Sequence, residues 1–376
     1  MSTLSFRNGR IVTPEAVCDR LAVAIEDAQI SGMDAGAEHA AALDLEGGWL
    51  VPGFVDTQVN GGGDVLFNDA QDVATIARIG AAHVRYGTTA FLPTLISGTL
   101  NTIARALDAV DAAIAQGVPG VVGAHIEGPF LSVERKGIHD AGNFRPLDDA
   151  ALALLTRPRR GVVMVTLAPE HSPSDAIRAL ADAGVIVSIG HSNASYEQTR
   201  EAIVAGARGI THLFNAMSGL HHREPGVVGA ALEDPSLYCG LIVDGAHVHP
   251  AAVRVALASR PLGRFMLVTD AMPSVGGERS EFMLNGELIR VEDGVCLNEA
   301  GTLAGCDLDM ASAVRNMHGL GVPVEEALAM ASTNPAAFLG LSNSIGRLAP
   351  GCNADFVWLD RDLKPRGTWI GGRRVA

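Results

Sequence analysis

The chain has 376 residues, a formal net charge of −14, 48% hydrophobic and 19% charged residues. That composition supplies a sizeable apolar core and excludes a disordered chain, and the acidic balance argues against a nucleic-acid binder, which would carry a basic face. No run of about 18 uncharged apolar residues is present and the first ten residues hold no apolar leader core, so neither a membrane partner nor a secretory signal is expected.

The two ends read alike. Leu4–Val12, Arg20–Ile30 and Ala41–Leu50 alternate apolar and polar residues, with turns at Asn8-Gly9 and Gly47-Gly48. At the other end Asp355–Leu359 and Thr368–Val375 do the same, between Pro350-Gly351 and Lys364-Pro365. Neither end can bury a core alone. The expectation is one small β domain from 1–52 with 345–376, and a larger domain from 53–344.

The middle alternates short β-branched runs with alanine-rich stretches of helical period. The strand-like runs are Leu50–Val59, Thr89–Leu95, Val121–Glu127, Val162–Ala168, Val185–His191, Gly209–Phe214, Cys239–Asp244 and Phe265–Asp270. Helical stretches lie at Asp72–Tyr86, Leu100–Gln116, Ser174–Ala183, Ser195–Ala205 and Pro250–Ser259. Eight strand–helix units predict an α/β fold, a parallel (β/α)8 barrel. A doubly wound open sheet is the alternative, but it would want a glycine-rich phosphate loop after its first strand. Gly61-Gly62-Gly63 lacks the lysine and serine of such a loop and reads as a tight turn.

Nine of the twelve histidines lie between His125 and His249. In a barrel the reactive groups sit at the carboxyl ends of the strands. Reading each run to its end gives Asp56-Thr57-Gln58-Val59-Asn60, His125-Ile126-Glu127, His191-Ser192-Asn193, His212 to Met217, Asp244-Gly245-Ala246-His247 and Thr269-Asp270. His191 and His212 are one strand–helix unit apart, and adjacent strands are close enough for two imidazoles to share one ion. With Glu127 they make a His2Glu set, the donor type of a catalytic zinc that keeps a position open for water. Spacing alone leaves a pair of hydrogen-bonded core histidines and a capping glutamate equally open. Asp270 reads as a general acid–base beside a metal-bound water, or as a cap for the following turn. His139 and His247 lie in loops, where packing roles are the plain alternative. The five cysteines (Cys18, Cys239, Cys296, Cys306, Cys352) form no CxxC pair, so reduced thiols in a cytoplasmic compartment are expected.

These residues carry a family resemblance across nearly the whole chain. Pro52-Gly53-Phe54-Val55-Asp56, His125 to Phe130, Lys136-Gly137-Ile138-His139, Gly190 to Ala194, Thr211 to Met217, Arg223-Glu224-Pro225-Gly226, Asp244 to Val248, Val268 to Ala271 and Gly301 to Gly305 recur in order. The chain resembles the N-acetylglucosamine-6-phosphate deacetylase branch of the amidohydrolase superfamily. The resemblance implies hydrolysis of the acetamide of an amino-sugar 6-phosphate, in amino-sugar catabolism. It implies metal ligands Glu127, His191 and His212, a catalytic acid–base Asp270, and His139 polarising the acetyl carbonyl. It implies substrate contacts at Ile138, His139, Asn215, Ala216, Asp244, His247, Leu303, Ala304 and Gly305. Arg223 matches an arginine that binds the sugar phosphate from the neighbouring subunit, which implies a homodimer.

One departure matters. Many members carry His-x-His after the first strand and bind two metals; here Gln58 and Asn60 stand there. Amides are poor ligands, so one divalent metal per subunit is expected, Zn2+ before Fe2+. A carboxylated lysine is excluded, since neither Lys136 nor Lys364, the two lysines, ends a strand. An N-acetylgalactosamine 6-phosphate deacetylase, a cyclic amidase or deaminase, and a non-catalytic scaffold are the other readings. Stoichiometric metal separates enzyme from scaffold.

Overall fold

The computed structural model describes residues 2–36 and 42–376. At its centre eight parallel strands follow one another round in chain order. They are β1 (Phe54–Val59), β2 (Thr88–Ile96), β3 (Gly123–Glu127), β4 (Val162–Leu167), β5 (Ile186–Ile189), β6 (Gly209–Ile210), β7 (Tyr238–Leu241) and β8 (Phe265–Leu267). Backbone hydrogen bonds from Asp270 N to the Gln58 carbonyl and from Asn60 N to the Ala271 carbonyl, both 3.0 Å, join the end of β8 to that of β1. Asp56 reinforces this seam: its buried carboxylate accepts from Thr269 Oγ1 at 2.5 Å. The expected (β/α)8 barrel is present.

Helices follow the strands, and their starts are legible in the chain. Asp72 caps Val73–His83 by accepting from Thr75 N, Thr99 caps Leu100–Ala115, and Ser195 with Gln198 forms a capping box before Tyr196–Ala205. Each cap satisfies a backbone N–H that the helix leaves unpaired. Pro250–Ser259 matches its predicted bounds.

The strands end earlier than the apolar runs suggest. His191, His212 and Asp270 have φ of 48°, 32° and 50°, so each leaves the β region where its run was expected to continue. A non-glycine residue held there costs about 1–3 kcal/mol, and such strain collects where a side chain must be aimed.

The run read as Leu50–Val59 is two strands. Trp49–Pro52 belongs to a sheet built from both chain ends, and Phe54–Val59 enters the barrel. Gly53 separates them, where an added Cβ would lie 1.9 Å from Thr89 Oγ1. In the terminal sheet Trp49–Pro52 pairs antiparallel with Phe356–Leu359 and parallel with Ser2–Val12. Phe6 packs edge-on against Phe356 and Trp369, with ring centroids 5.5 and 6.1 Å away, so the two chain ends share one apolar cluster. Asn8-Gly9 is a bulge within Ser2–Val12, not a turn between strands: the register slips between Arg7 and Ile11. The predicted Arg20–Ile30 and Thr368–Val375 segments are each a hairpin. Ala41 of the predicted Ala41–Leu50 segment lies outside the described residues.

One element was not anticipated. After β8 a four-stranded antiparallel sheet, Glu281–Leu284, Glu287–Glu292, Val295–Asn298 and Leu303–Cys306, stands over the carboxyl end of the barrel. Its Leu284, Ile289, Cys296 and Ala304 pack with Leu66, Ile96 and Met272, and Ile138 lies against that cluster. Among the described residues, no helix is long and apolar enough to cross a membrane.

Candidate metal centre and catalytic cavity

The inward positions of β3 place His125 and Glu127 on the same side of the strand, two residues apart, while Ile126 faces the helices. His125 sits one layer below the mouth. Its ring nitrogens pair with Thr94 Oγ1 at 3.2 Å and Thr166 Oγ1 at 2.7 Å. Burial pushes its pKa down to about 4, so it is a neutral member of the barrel floor.

Glu127 meets the two histidines at the mouth. Glu127 Oε1 lies 3.1 Å from His212 Nε2 and 3.3 Å from His191 Nε2, and the two Nε2 atoms are 3.0 Å apart. His191 Nδ1 is 2.9 Å from the Arg135 carbonyl. A carbonyl only accepts, so Nδ1 carries the proton and Nε2 presents a bare lone pair to a carboxylate oxygen. Three ligand-type atoms thus converge with room for one proton among them: burial would lower the His212 pKa but its bond to Glu127 raises it, so that proton lies on His212 Nε2, in the place an ion would take. Bonds of about 2.0–2.2 Å to a divalent ion would set tetrahedral donors about 3.3–3.5 Å apart. The observed triangle is close to that size, so the residues fit an ion.

Gln58 and Asn60 do something different. Gln58 Nε2 donates to Glu127 Oε1 and to Asp270 Oδ1, each at 3.0 Å, and Asn60 Nδ2 donates to Asp270 Oδ1 at 2.7 Å. The amides are hydrogen-bond donors to two carboxylates. Asp270 keeps Oδ2 for other work. Burial, then the negative Glu127, raises its pKa to about 6, which suits a group that must take and return a proton near neutrality.

His139 stands beside His191, ring centroids 4.3 Å apart. Its Nδ1 lies 2.8 Å from Ser97 Oγ and accepts from Ser97 N at 3.4 Å. With Nδ1 an acceptor, Nε2 carries the hydrogen. Burial, and then the nearby His191, hold the ring well below its ordinary pKa, so it offers an N–H donor without a full charge.

Asn60, Glu127, His139, His191, His212 and Asp270 line one cavity of about 480 Å3, which also takes in Ile138, Asn215, Ala216, His247, Leu303 and Gly305. Three expected substrate contacts are not on its wall. Ala304 is fully buried in the apolar cluster beneath the overlying sheet, because in Leu303–Cys306 alternate side chains face opposite ways. Asp244 sits behind His247. Arg223 is exposed and lines a second cleft of about 430 Å3 with Asn193 and Ser218; Arg135 borders both spaces. Ser97, the Arg135 carbonyl and Cys306 were not singled out from the sequence. Ser97 follows the end of β2 directly, the one signal that marked it.

The amidohydrolase family profile matches residues 49–375. The chain is 41% identical over 371 residues to N-acetylgalactosamine-6-phosphate deacetylase of Shewanella sp. (strain ANA-3), covering 96% of this chain and 93% of that one. It is 38% identical over 367 residues to N-acetylglucosamine-6-phosphate deacetylase of Vibrio furnissii, covering 95% and 91%. Its structure is similar to that of a point mutant of N-acetyl-D-glucosamine-6-phosphate deacetylase from Mycobacterium smegmatis in complex with N-acetyl-D-glucosamine-6-phosphate, with a TM-score of 0.91, 32% identity and both chains fully covered.

Proposed function

The chain belongs to the amidohydrolase family, and on that footing we propose that it is a metal-dependent deacetylase that hydrolyses the acetamide of N-acetylglucosamine 6-phosphate to glucosamine 6-phosphate and acetate. The observation that carries this reading is the shared cavity. A buried base with a raised pKa, an uncharged N–H donor and three converging ligand-type atoms face one space, and metal-assisted amide hydrolysis uses all three. Glu127, His191 and His212 would hold one divalent ion, zinc or ferrous iron by donor type. Bound there, it would supply an acidified water and polarise the acyl carbonyl.

The chain's own groups do the rest. Asp270 takes the proton of the attacking water on Oδ2, while Gln58 and Asn60 fix Oδ1. His139 Nε2–H donates to the acyl oxygen as charge gathers there, and the Ser97 bond fixes the ring for that task. Asp270 then returns its proton to the departing nitrogen, because an amide cannot leave as an anion near neutral pH. Asn215, Ala216, His247, Leu303 and Gly305 bound the space for the sugar ring.

Arg223 would bind the phosphate of a neighbouring subunit's substrate. Its exposure outside its own cavity, beside Leu220 at 59% exposure, supports a homodimer with sites completed in trans. A cytoplasmic location fits five free thiols and a phosphorylated substrate. We take 1–52 with 345–376, whose described strands form the terminal sheet, as a small β domain beside the barrel of 53–344.

The galactosamine epimer is the second reading, favoured by the 41% identity to the Shewanella enzyme. The test is acetate release from purified, ion-loaded protein given N-acetylhexosamine 6-phosphates that differ at one hydroxyl. Release from the glucosamine epimer at a greater kcat/KM than from the galactosamine epimer is expected. The reverse order moves the assignment to the second reading, and no release from either overturns both.

A further inference from the structure

Beside the cavity, at the wall that His247 lines, lies a second knot of ligand-type residues. Asp244, His247 and Cys306 bring a carboxylate oxygen, a ring nitrogen and a sulfur within 4.8 Å of one another. The polarity of its hydrogen bonds speaks against an ion. Asp244 Oδ1 accepts from the backbone N–H of Ala246 at 3.0 Å and of His247 at 2.9 Å. Asp244 Oδ2 accepts from His247 Nδ1 at 2.7 Å and from Cys306 Sγ at 3.3 Å. Four donors already point at one carboxylate, which leaves no lone pair seeking a cation. Burial alone would push Asp244 up, but these bonds, with His247 foremost, hold it below the ordinary carboxylate range. Burial, then the charge of Asp244, pushes the Cys306 thiol well above its ordinary value, so it keeps the proton it donates.

The arrangement has a direction. Asp244 lies off the cavity wall and His247 lies on it. A carboxylate accepts only, so Nδ1 of His247 carries a proton, and in the neutral ring Nε2 turns a lone pair outward. We propose that Asp244 is a positioning residue which, with Cys306 as its second side-chain donor, locks His247 in the Nδ1–H tautomer and presents Nε2 as an acceptor for a hydroxyl of the sugar ring. This rests on the reading of the cavity as an amino-sugar phosphate site. It assigns the two residues no contact with substrate: they act through the imidazole.

Asp244→Asn tests it. An amide NH2 facing Nδ1 forces that nitrogen to accept and moves the proton to Nε2. Loss of a charge-assisted bond and of the acceptor should lower kcat/KM by roughly 10- to 100-fold with ion content unchanged. In a His247→Ala background the same change should cost less than about twofold, since there is no ring to orient. An equal loss in both backgrounds would make Asp244 merely structural and overturn the proposal. If Asp244→Asn does not fold, Cys306→Ala removes one donor and keeps the carboxylate. It should lower kcat/KM about two- to fivefold, and only while His247 is present. Nitrogen-15 shifts of the His247 ring in the ion-loaded parent give a readout that needs no turnover. A protonated Nδ1 with a bare Nε2 is expected, and the opposite tautomer sinks the idea. A parent that releases no acetate yet shows that tautomer fails the functional reading and not the hydrogen-bond geometry.

Discussion

Two knots of ligand-type residues border the cavity, and they differ in who donates. Around Glu127 three ligand-type atoms, two imidazole Nε2 atoms and a carboxylate oxygen, lie within 3.3 Å of one another with room for one ring proton between them, and Gln58 Nε2 donates to the carboxylate from the side. Around Asp244 the atoms are donors turned on one acceptor, at 2.7–3.3 Å. Each knot joins a carboxylate to a histidine with little solvent at either side chain, so those features do not distinguish them. The balance of protons to lone pairs does. Three converging ligand atoms with too few protons to pair them all leave an opening for a cation, whereas a saturated carboxylate has nothing left to offer one.

The largest effect follows directly. Glu127→Ala, His191→Ala or His212→Ala should empty the centre and cut turnover by roughly 10³-fold or more, since the ion contributes several kcal/mol to the transition state. Elemental analysis is the sharper reading. With the first knot broken and the second intact, the protein should hold no stoichiometric ion. An ion retained by Asp244, His247 and Cys306 would break the comparison. Two tightly held ions in the parent would overturn the description of Gln58 and Asn60 as donors.

Asp270 stands between the knots in character, a carboxylate with two amide donors and a negative neighbour. Asp270→Asn keeps the shape and cannot accept a proton. Turnover should fall about 10²–10⁴-fold, the usual weight of general acid–base catalysis, while the ion stays. Turnover close to the parent's would remove Asp270 from the chemistry.

Arg223 tests whether charge reaches the cavity from outside the two knots. Arg223→Ala should weaken the phosphorylated substrate by about 2–4 kcal/mol in kcat/KM, the loss expected for a desolvated charge-assisted pair. It should leave the slow reaction of unphosphorylated N-acetylglucosamine nearly untouched. Mixed with Asp270→Asn protein and allowed to exchange subunits, it should regain activity, because one site in a mixed dimer is whole. Exchanged but inactive dimers would place Arg223 in its own subunit's service or in none.

Much of this was legible in the chain, and the reasons are local. The barrel shows because each strand is a short β-branched run followed by a capped helix, and reading those runs to their ends reached Glu127, His191, His212 and Asp270. Spacing left the metal open; the family resemblance supplied the roles. The strand ends themselves were misplaced, because nothing in a side chain announces that His191, His212 and Asp270 will take positive φ. The sheet over the mouth was missed although its signal is present. Asn285-Gly286 and Asp293-Gly294 are hairpin dipeptides, and all four residues have φ between 49° and 83°. Their strands are weakly apolar, so periodicity did not mark them. That Asp244 lies behind His247, off the cavity wall, is shown only by distances.

The smallest effect sharpens what donors do to a buried carboxylate. Asp355, just before the Phe356–Leu359 strand of the terminal sheet, accepts from Gly371 N at 2.7 Å and from the Asn353 side chain, and among the described residues no imidazole or cation joins them. Burial wins there and raises its pKa to about 6, whereas Asp244, with His247 against it, is held low. An unfolded Asp titrates near ~3.9. Folding therefore favours the protonated form of Asp355: its full stability is present below about pH 4 and is lost as pH rises towards 6. A shift of about two units makes the loss about 3 kcal/mol at most. Asp355→Asn keeps an oxygen for Gly371 N–H and removes the titration. Relative to the parent, the variant should gain up to that amount between pH 4.5 and 7.5, read as the difference in urea midpoints so that other titrating groups cancel. A difference that does not change with pH would mean that two neutral donors suffice to keep a buried carboxylate ionised at no cost, and that the imidazole is not what sets Asp244 apart.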